Sequence, residues 1–226
     1  MRLAEAAADL GGGRSTIYQR FVTLMEAGWV EQIEDGRFRL TMRLMKIAGA
    51  ALSQGGLGDR TLPILRELVA ETHETASLAV VQNGAAVIIQ RVQAEGILQA
   101  RARIGAAMSL KDSASGRILV AFADPEEIGR MAKSGAELSE DEVLRETRRT
   151  GVAIAAEHVV VSAIAAPVFD HGQRCVAALS LVGPKGRLNV EKVKAPLIAA
   201  AGRLSIMLGG KAWSGGAVAQ STGTES

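Results

Sequence analysis

The stretch from residue 15 to residue 40 constrains this chain most, because a helix pattern is followed there by a short basic hairpin pattern. Ile17, Phe21 and Leu24 recur at intervals of four and three residues, so we expect one apolar stripe on a helix that ends near Gly28. The other side carries hydroxyls, an amide and a guanidinium, from Ser15, Thr16, Gln19, Arg20 and Thr23. Groups of these kinds contact phosphates and base edges in duplex DNA.

The segments on either side of this helix complete a DNA-binding layout. Residues 3–10 predict a short helix, and three glycines at 11–13 separate it from the second one, as in a helix-turn-helix. After the second helix, Asp35-Gly36 predicts a two-residue hairpin turn, because both residue types tolerate positive φ. Period-two alternation then predicts that Phe38 and Leu40 face inward and that Arg37 and Arg39 face outward. A helix followed by a basic wing is typical of domains that read DNA. Taken alone, the hairpin could equally be a solvated basic hairpin of another small domain.

The charge balance limits how DNA could be bound. The 226 residues carry a net charge of only +2, and residues 1–54 hold seven basic and six acidic side chains. There is no broad positive field, so DNA affinity must depend on dimerisation and on a few well-placed arginines. The candidates are Arg14, Arg20, Arg37 and Arg39.

Composition also bears on where the protein works. A single cysteine, Cys175, excludes an internal disulfide framework and suits a reducing compartment. We find no signal-peptide pattern and no apolar run long enough to span a bilayer. The sequence therefore predicts a cytoplasmic protein with no membrane partner.

Four regions follow from the composition along the chain. We expect a helix-turn-helix and wing at residues 1–40, a linker helix and hinge at 41–58, a second domain at 59–210 and a disordered tail at 211–226. In the second domain, apolar runs around Asn83-Gly84 predict a hairpin. Further strands are predicted at 97–103, 160–169 and 175–182, and helices at 61–72, 113–123, 124–133, 139–149 and 190–208. An antiparallel sheet covered by helices would leave a pocket between the layers.

Enzymatic motifs are missing from the sequence. His73, His158 and His171 do not have metal-ligand spacing, and Cys175 lies in an apolar run where thiols are usually inert. Glu157 and His158 are neighbours that would point to opposite faces of a strand. We find no phosphate loop, dinucleotide fingerprint or nucleophile elbow. We therefore expect no catalytic residue, no metal and no cofactor.

Three separated motifs give the chain a resemblance to the IclR-type transcriptional regulators, from about residue 3 to residue 210. They are Arg-Ser-Thr-Ile-Tyr-Gln-Arg-Phe at 14–21 with its wing, Ile-Ala-Ala-Pro-Val-Phe-Asp at 164–170 and Ala-Ala-Leu-Ser-Leu-Val-Gly-Pro at 177–184. Residues 108–119 and Arg91-Val92 also fit this family's pattern. The resemblance implies an α+β fold, with a winged helix-turn-helix joined by a linker helix to a GAF-like effector domain that has an antiparallel sheet.

The resemblance also implies a function. Members of the family are usually dimers or tetramers that control genes, often for catabolism, in response to small organic or aromatic acids. We expect a homodimeric or tetrameric repressor that binds double-stranded operator DNA. The expected DNA contacts are Arg14, Ser15, Thr16, Gln19 and Arg20 in the major groove, with Arg37 and Arg39 on the flanking DNA.

Two departures from the family pattern matter. A further helix normally precedes residues 3–10, so we hypothesise that translation starts upstream of Met1 and expect Ile17, Phe21 and Leu24 to be partly exposed. The alternative is a ligand-binding module that has lost DNA binding.

The second departure lies in the effector pocket. The family's small-acid binders have Cys at the position of Ala163 and a second Ser at that of Val182, which favours a more apolar ligand here. The expected effector contacts are Ser113, Ala114, Gly116, Val161, Ala163, Ser180 and Val182. An anion could also sit at the helix start near 113–116. Ser113 could instead be a simple N-cap, and Ser180 a satisfied strand hydroxyl.

Overall fold

The computed structural model describes residues 1–54, 57–95, 103–155 and 161–215. The chain divides into two compact units, Met1–Arg60 and Thr61–Ser226. The first unit contains α1 (Leu3–Leu10), α2 (Arg14–Glu26), β1 (Val30–Gln32), β2 (Phe38–Leu40) and α3 (Arg43–Gln54). The glycine break acts as expected, because Gly11 ends α1 in the left-handed region and Gly13 is the N-cap of α2.

The core of the first unit joins α2 to the hairpin. The Phe21 and Phe38 rings are stacked with centroids 4.2 Å apart. Phe21 and Leu24 are half-buried, as expected, but the expectation that Ile17 is partly exposed is wrong, since Ile17 is 1% exposed. Its Cδ1 lies 3.1 Å from where a Cβ on Gly12 would be, so the glycine turn allows the backbone to cover it.

The hairpin differs from the predicted two-residue turn. The Ile33 amide donates to the Arg37 carbonyl, so three residues, 34–36, form the loop. Gly36 has a φ of +74°, whereas Asp35 is not among the positive-φ residues. This is a turn followed by a left-handed bulge residue, another common hairpin geometry. Leu40 was expected to face inward but is 71% exposed, while Phe38 is buried.

The second unit is a six-stranded antiparallel sheet with helices on both faces. Its elements are α4 (Leu62–Thr72), β3 (Thr75–Gln82), β4 (Ala85–Val92), β5 (Ala107–Met108), α5 (Ala114–Ala121), α6 (Pro125–Lys133), α7 (Asp141–Thr150), β6 (Ala153–Ala155), β7 (Val161–Phe169), β8 (Cys175–Pro184) and α8 (Val190–Met207). The strand order is β5-β4-β3-β8-β7-β6. The predicted Asn83-Gly84 hairpin is confirmed, with both residues at positive φ.

Burial along the strands follows from this layering. β7 and β8 are almost continuously buried, as expected for strands covered on both faces. One face packs against α5, where Ala163, Ala165 and Ala178 join Ile118 in one cluster. α4 and α8 pack on the other face of the sheet. These small side chains set how closely α5 can approach the strands.

Some expected features fall outside the described residues. They are most of the strand at 97–103, the Glu157-His158 pair and the part of the tail at 216–226. Within residues 211–215, Trp213 packs against the core and its ring lies against Gly151. The expectation of a disordered tail from residue 211 is therefore wrong for residues 211–215, where Trp213 packs against the core.

The close packing of α5 predicts that replacing one of its glycines by alanine destabilises the protein, although alanine usually stabilises a helix. A Cβ on Gly116 would lie 2.5 Å from the Leu110 Cα and 2.7 Å from its carbonyl oxygen. We expect Gly116→Ala to lower the free energy of unfolding by about 1–3 kcal/mol, although alanine is the better helix former. Thermal melts should show the loss.

Gly129 provides the matched control, because it also lies inside a helix but has open space around its Cα. Gly129→Ala should leave stability unchanged or raise it by up to about 1 kcal/mol. Equal melting temperatures for the two variants would contradict the close packing of α5.

Candidate nucleic-acid interface and ligand pocket

The polar face of α2 is presented to solvent. All five expected contacts on this helix are exposed, namely Arg14, Ser15, Thr16, Gln19 and Arg20. Ile17 anchors the opposite side of the helix in the core. Neither Arg14 nor Arg20 forms an ion pair with a carboxylate of the described residues. Their guanidinium groups are thus available to an external anion.

Both arginines of the wing have carboxylate partners, which the sequence reasoning missed. Arg39 Nε lies 2.7 Å from Glu31 Oε1, directly across the hairpin, and Arg37 pairs with Asp35 in the turn. Both pairs are exposed, and exposed pairs are worth only about 0–1 kcal/mol. The wing therefore has less free positive charge than its sequence suggests. Because each ion pair is weak, a phosphate can replace the carboxylate at little cost in free energy.

The start of α5 is fully bonded within the chain. The Ser113 hydroxyl accepts from the Gly116 amide at 2.9 Å and donates to the Ser109 carbonyl at 2.6 Å. Ala114 and Gly116 are buried beside it. The structure thus shows the N-cap role that was the alternative for Ser113.

Four other expected contacts share the sheet face that α5 covers. Ala163 lies directly opposite Val182, and Ser180 lies opposite Ala165. Val161 is two residues from Ala163 and so lies on the same face. The Ser180 hydroxyl donates to the Ser77 carbonyl at 3.3 Å. The alternative given for Ser180, a strand hydroxyl bonded within the sheet, is therefore also observed. The structure brings Val161, Ala163, Ser180 and Val182 together with the start of α5.

The same face carries polar side chains that the sequence analysis passed over. Thr75 and Ser77 in β3 lie opposite Val182 and Ser180, and Arg91 in β4 lies opposite Ser77. Thr75 Oγ1 accepts from the Ala94 amide at 3.2 Å. Burial lowers the pKa of the Arg91 guanidinium from its ordinary value. The sequence signal that could have identified this face is the polar residue at every second position in the first half of β3, an otherwise apolar strand.

A separate cavity of about 950 Å³ lies along α7 and β6. Charged side chains of both signs line it, including Arg117, Glu140, Arg145, Glu146, Arg149 and Lys194. None of the expected effector contacts borders it.

Of the groups considered for catalysis, those that the structure describes are structural or surface residues, and Glu157 and His158 lie outside the described residues. His73 ends α4 with a φ of +58°, and His171 is exposed in the β7–β8 turn. Cys175 is buried, which raises the pKa of its thiol to about 12. Among the residues that the structure describes, no three His, Cys, Asp or Glu side chains cluster as metal ligands. In the same part of the chain, no helix has the length and apolar character that crossing a membrane requires.

Comparison with known proteins places the chain in a family. A family model described as "Bacterial transcriptional regulator IclR C-terminal" matches residues 49–206. The transcriptional repressor IclR of Escherichia coli (strain K12) is 28% identical in an alignment that covers 92% of this chain and 83% of that protein.

Solved structures share the fold. An IclR transcriptional regulator from Silicibacter sp. TM1040 superposes with a TM-score of 0.79 at 22% identity, covering 93% of this chain and 89% of that one. An IclR homologue from Microbacterium hydrocarbonoxydans, complexed with 4-hydroxybenzoate, gives 0.74 at 23% identity, covering 92% and 91%. The expected mixture of helices and antiparallel sheet is confirmed. The expectation of a regulator instead of an enzyme is confirmed as well, because the chain belongs to the IclR family of DNA-binding transcriptional regulators.

Proposed function

We propose that this chain is a ligand-responsive repressor of catabolic genes. In this proposal Met1–Arg60 is a winged helix-turn-helix that binds operator DNA, and the second unit is a GAF-like domain that binds a small organic or aromatic acid. The observation that carries the proposal is the exposed polar face of α2, backed by a buried apolar side.

The geometry of α2 suits the major groove. Its 13 residues span about 20 Å, and an α-helix fits the groove with its polar face toward the base edges. Arg14, Ser15, Thr16, Gln19 and Arg20 are the proposed contacts to the operator. The Phe21–Phe38 stack holds the wing beside the helix, so Arg37 and Arg39 are the proposed contacts to flanking DNA.

Dimerisation supplies the affinity that one copy lacks. The net charge of one copy of the chain is only +2, so one copy neutralises few DNA phosphates. Leu40, Met42 and Ile47 are exposed around the end of the hairpin and α3, which supports a homodimer or tetramer formed in part through residues 41–58. Two copies would then place two α2 helices in successive major grooves. Binding to operator DNA would place the protein in the cytoplasm.

The second unit is proposed to bind the effector between α5 and the sheet. The proposed contacts remain Ser113, Ala114, Gly116, Val161, Ala163, Ser180 and Val182. The complex of an IclR homologue with 4-hydroxybenzoate supports an aromatic acid as ligand class. A ligand that binds one arrangement of the dimer better than another shifts operator affinity by that difference.

A gel shift with the DNA upstream of the gene tests the proposal. We expect the chain to shift this DNA and Arg20→Ala to weaken specific binding about 10- to 100-fold, because one base-reading arginine is worth about 1–3 kcal/mol. Arg66→Ala, an exposed arginine of α4, is the control and should bind as the parent does. If the parent chain fails to shift the DNA, the ligand-binding module without DNA binding becomes the better account.

The wing ion pair yields a second prediction. Glu31→Gln removes the carboxylate that holds Arg39, so affinity for DNA should rise severalfold and depend more steeply on salt. Fluorescence anisotropy at several salt concentrations measures both effects.

Glu67→Gln is the matched control, because Glu67 forms a similarly exposed pair with Arg203 in the second unit. Unchanged DNA affinity in Glu31→Gln, or an equal rise in both variants, would argue against contact between the wing and DNA.

A further inference from the structure

One buried hydroxyl on the α5 face of the sheet has no hydrogen-bond partner in the part of the chain that the structure describes. Ser77 is 2% exposed, and its Oγ makes no hydrogen bond within the described residues. Buried hydroxyls are nearly always bonded, because burying one without a partner forfeits its hydrogen bonds to water. An unpaired hydroxyl in a native fold therefore points to a group that the protein binds.

Ser77 is the middle member of a polar row across three strands. In the strand register it lies directly opposite Ser180 on one side and Arg91 on the other. Residues directly opposite in antiparallel strands share a face, with Cβ atoms about 4.5–5.5 Å apart. The three side chains thus project from the same face within the reach of one small ligand.

The chemistry of the row fits an anion. The Ser180 hydroxyl already donates to the Ser77 carbonyl, which leaves the Ser77 hydroxyl free to donate elsewhere. Arg91 adds a guanidinium that is partly withdrawn from water and stays charged. A hydroxyl donor and a guanidinium side by side match the two oxygens of a carboxylate.

The surroundings of the row are apolar and small. Ala165 lies opposite Ser180, and Ala163 and Val182 lie one step along the same face. Ala163 and Ala165 pack against α5 in the buried cluster, and Val182 is half-buried at the margin of that cluster. The face is thus polar at one end and apolar at the other.

We propose that Ser77 and Arg91 bind the carboxylate of the effector, and that its apolar body lies beside the half-buried Val182, at the margin of the α5 cluster. The ligand class is a monocarboxylate with a compact aromatic or branched body. This inference rests on the proposed function of the second unit as an effector domain, and it adds two binding residues from β3 and β4.

Isothermal titration of the full chain with benzoate, 4-hydroxybenzoate and 2-methylpropanoate tests this inference, with benzamide as the uncharged counterpart of benzoate. We expect at least one carboxylate to bind and benzamide not to bind. Ser77→Ala and Arg91→Gln should each weaken that binding about tenfold or more, and Arg91→Lys less than Arg91→Gln. Ser77→Ala removes no hydrogen bond to another described residue, so it should fold as the parent does.

Ser162→Ala is the matched control, because Ser162 lies in the same sheet on the opposite face. The inference is overturned if no carboxylate binds, if benzamide binds as well as benzoate, or if Ser77→Ala and Arg91→Gln bind like Ser162→Ala. Failure of the parent chain to shift DNA would count against the proposed function alone and would leave the carboxylate result standing.

Discussion

The close approach of α5 to the sheet is the constraint on which the second unit depends. Gly116 packs against the backbone of Leu110, where no Cβ would fit, and alanines line the facing strands. This contact places the Ser113 cap and the following turn over β7 and β8. Because the helix and the strands are held at this distance, the polar row at Ser77 is enclosed and still close to small apolar side chains.

The first unit depends on a different contact, the stack of Phe21 on Phe38. It fixes the hairpin to α2, so the helix and the wing form one surface. The charge on that surface is distributed unevenly. Arg14 and Arg20 on the helix have no carboxylate partner among the described residues, whereas Arg37 and Arg39 are paired within the hairpin. In the proposed function, specific recognition is therefore assigned mainly to the helix, and the wing would contribute a contact whose strength depends on salt and on the competing carboxylates.

Local patterns predicted much of the fold because their causes lie within a few residues. The helix at Leu3–Leu10 and the Asn83-Gly84 hairpin follow from glycine and asparagine conformations and from periodicity. The wing loop was predicted with the wrong length, since the sequence does not show that Gly36 alone takes the left-handed region. Ile17 was expected to be partly exposed because the family's preceding helix is missing from the sequence. In the structure the glycine turn at Gly12 covers Ile17 instead.

The polar row was not predictable from local patterns. Ser77 and Ser180 are 103 residues apart in the chain and become neighbours only through the pairing of β3 with β8. In the sequence, Ser77 is one polar residue in an apolar run, and Arg91 reads as the end of a strand. The wing ion pairs were missed for the same reason, because Glu31 and Arg39 face each other only once the hairpin register is known.

Hydrogen–deuterium exchange of the full chain, with and without the DNA upstream of its gene, tests the assignment of DNA binding most directly. We predict that DNA slows exchange in the first turns of α2 and in the hairpin that carries Arg37 and Arg39, while β3, β4 and β8 of the second unit exchange as before. Protection confined to the second unit, or no protection anywhere in the presence of saturating DNA, would contradict it.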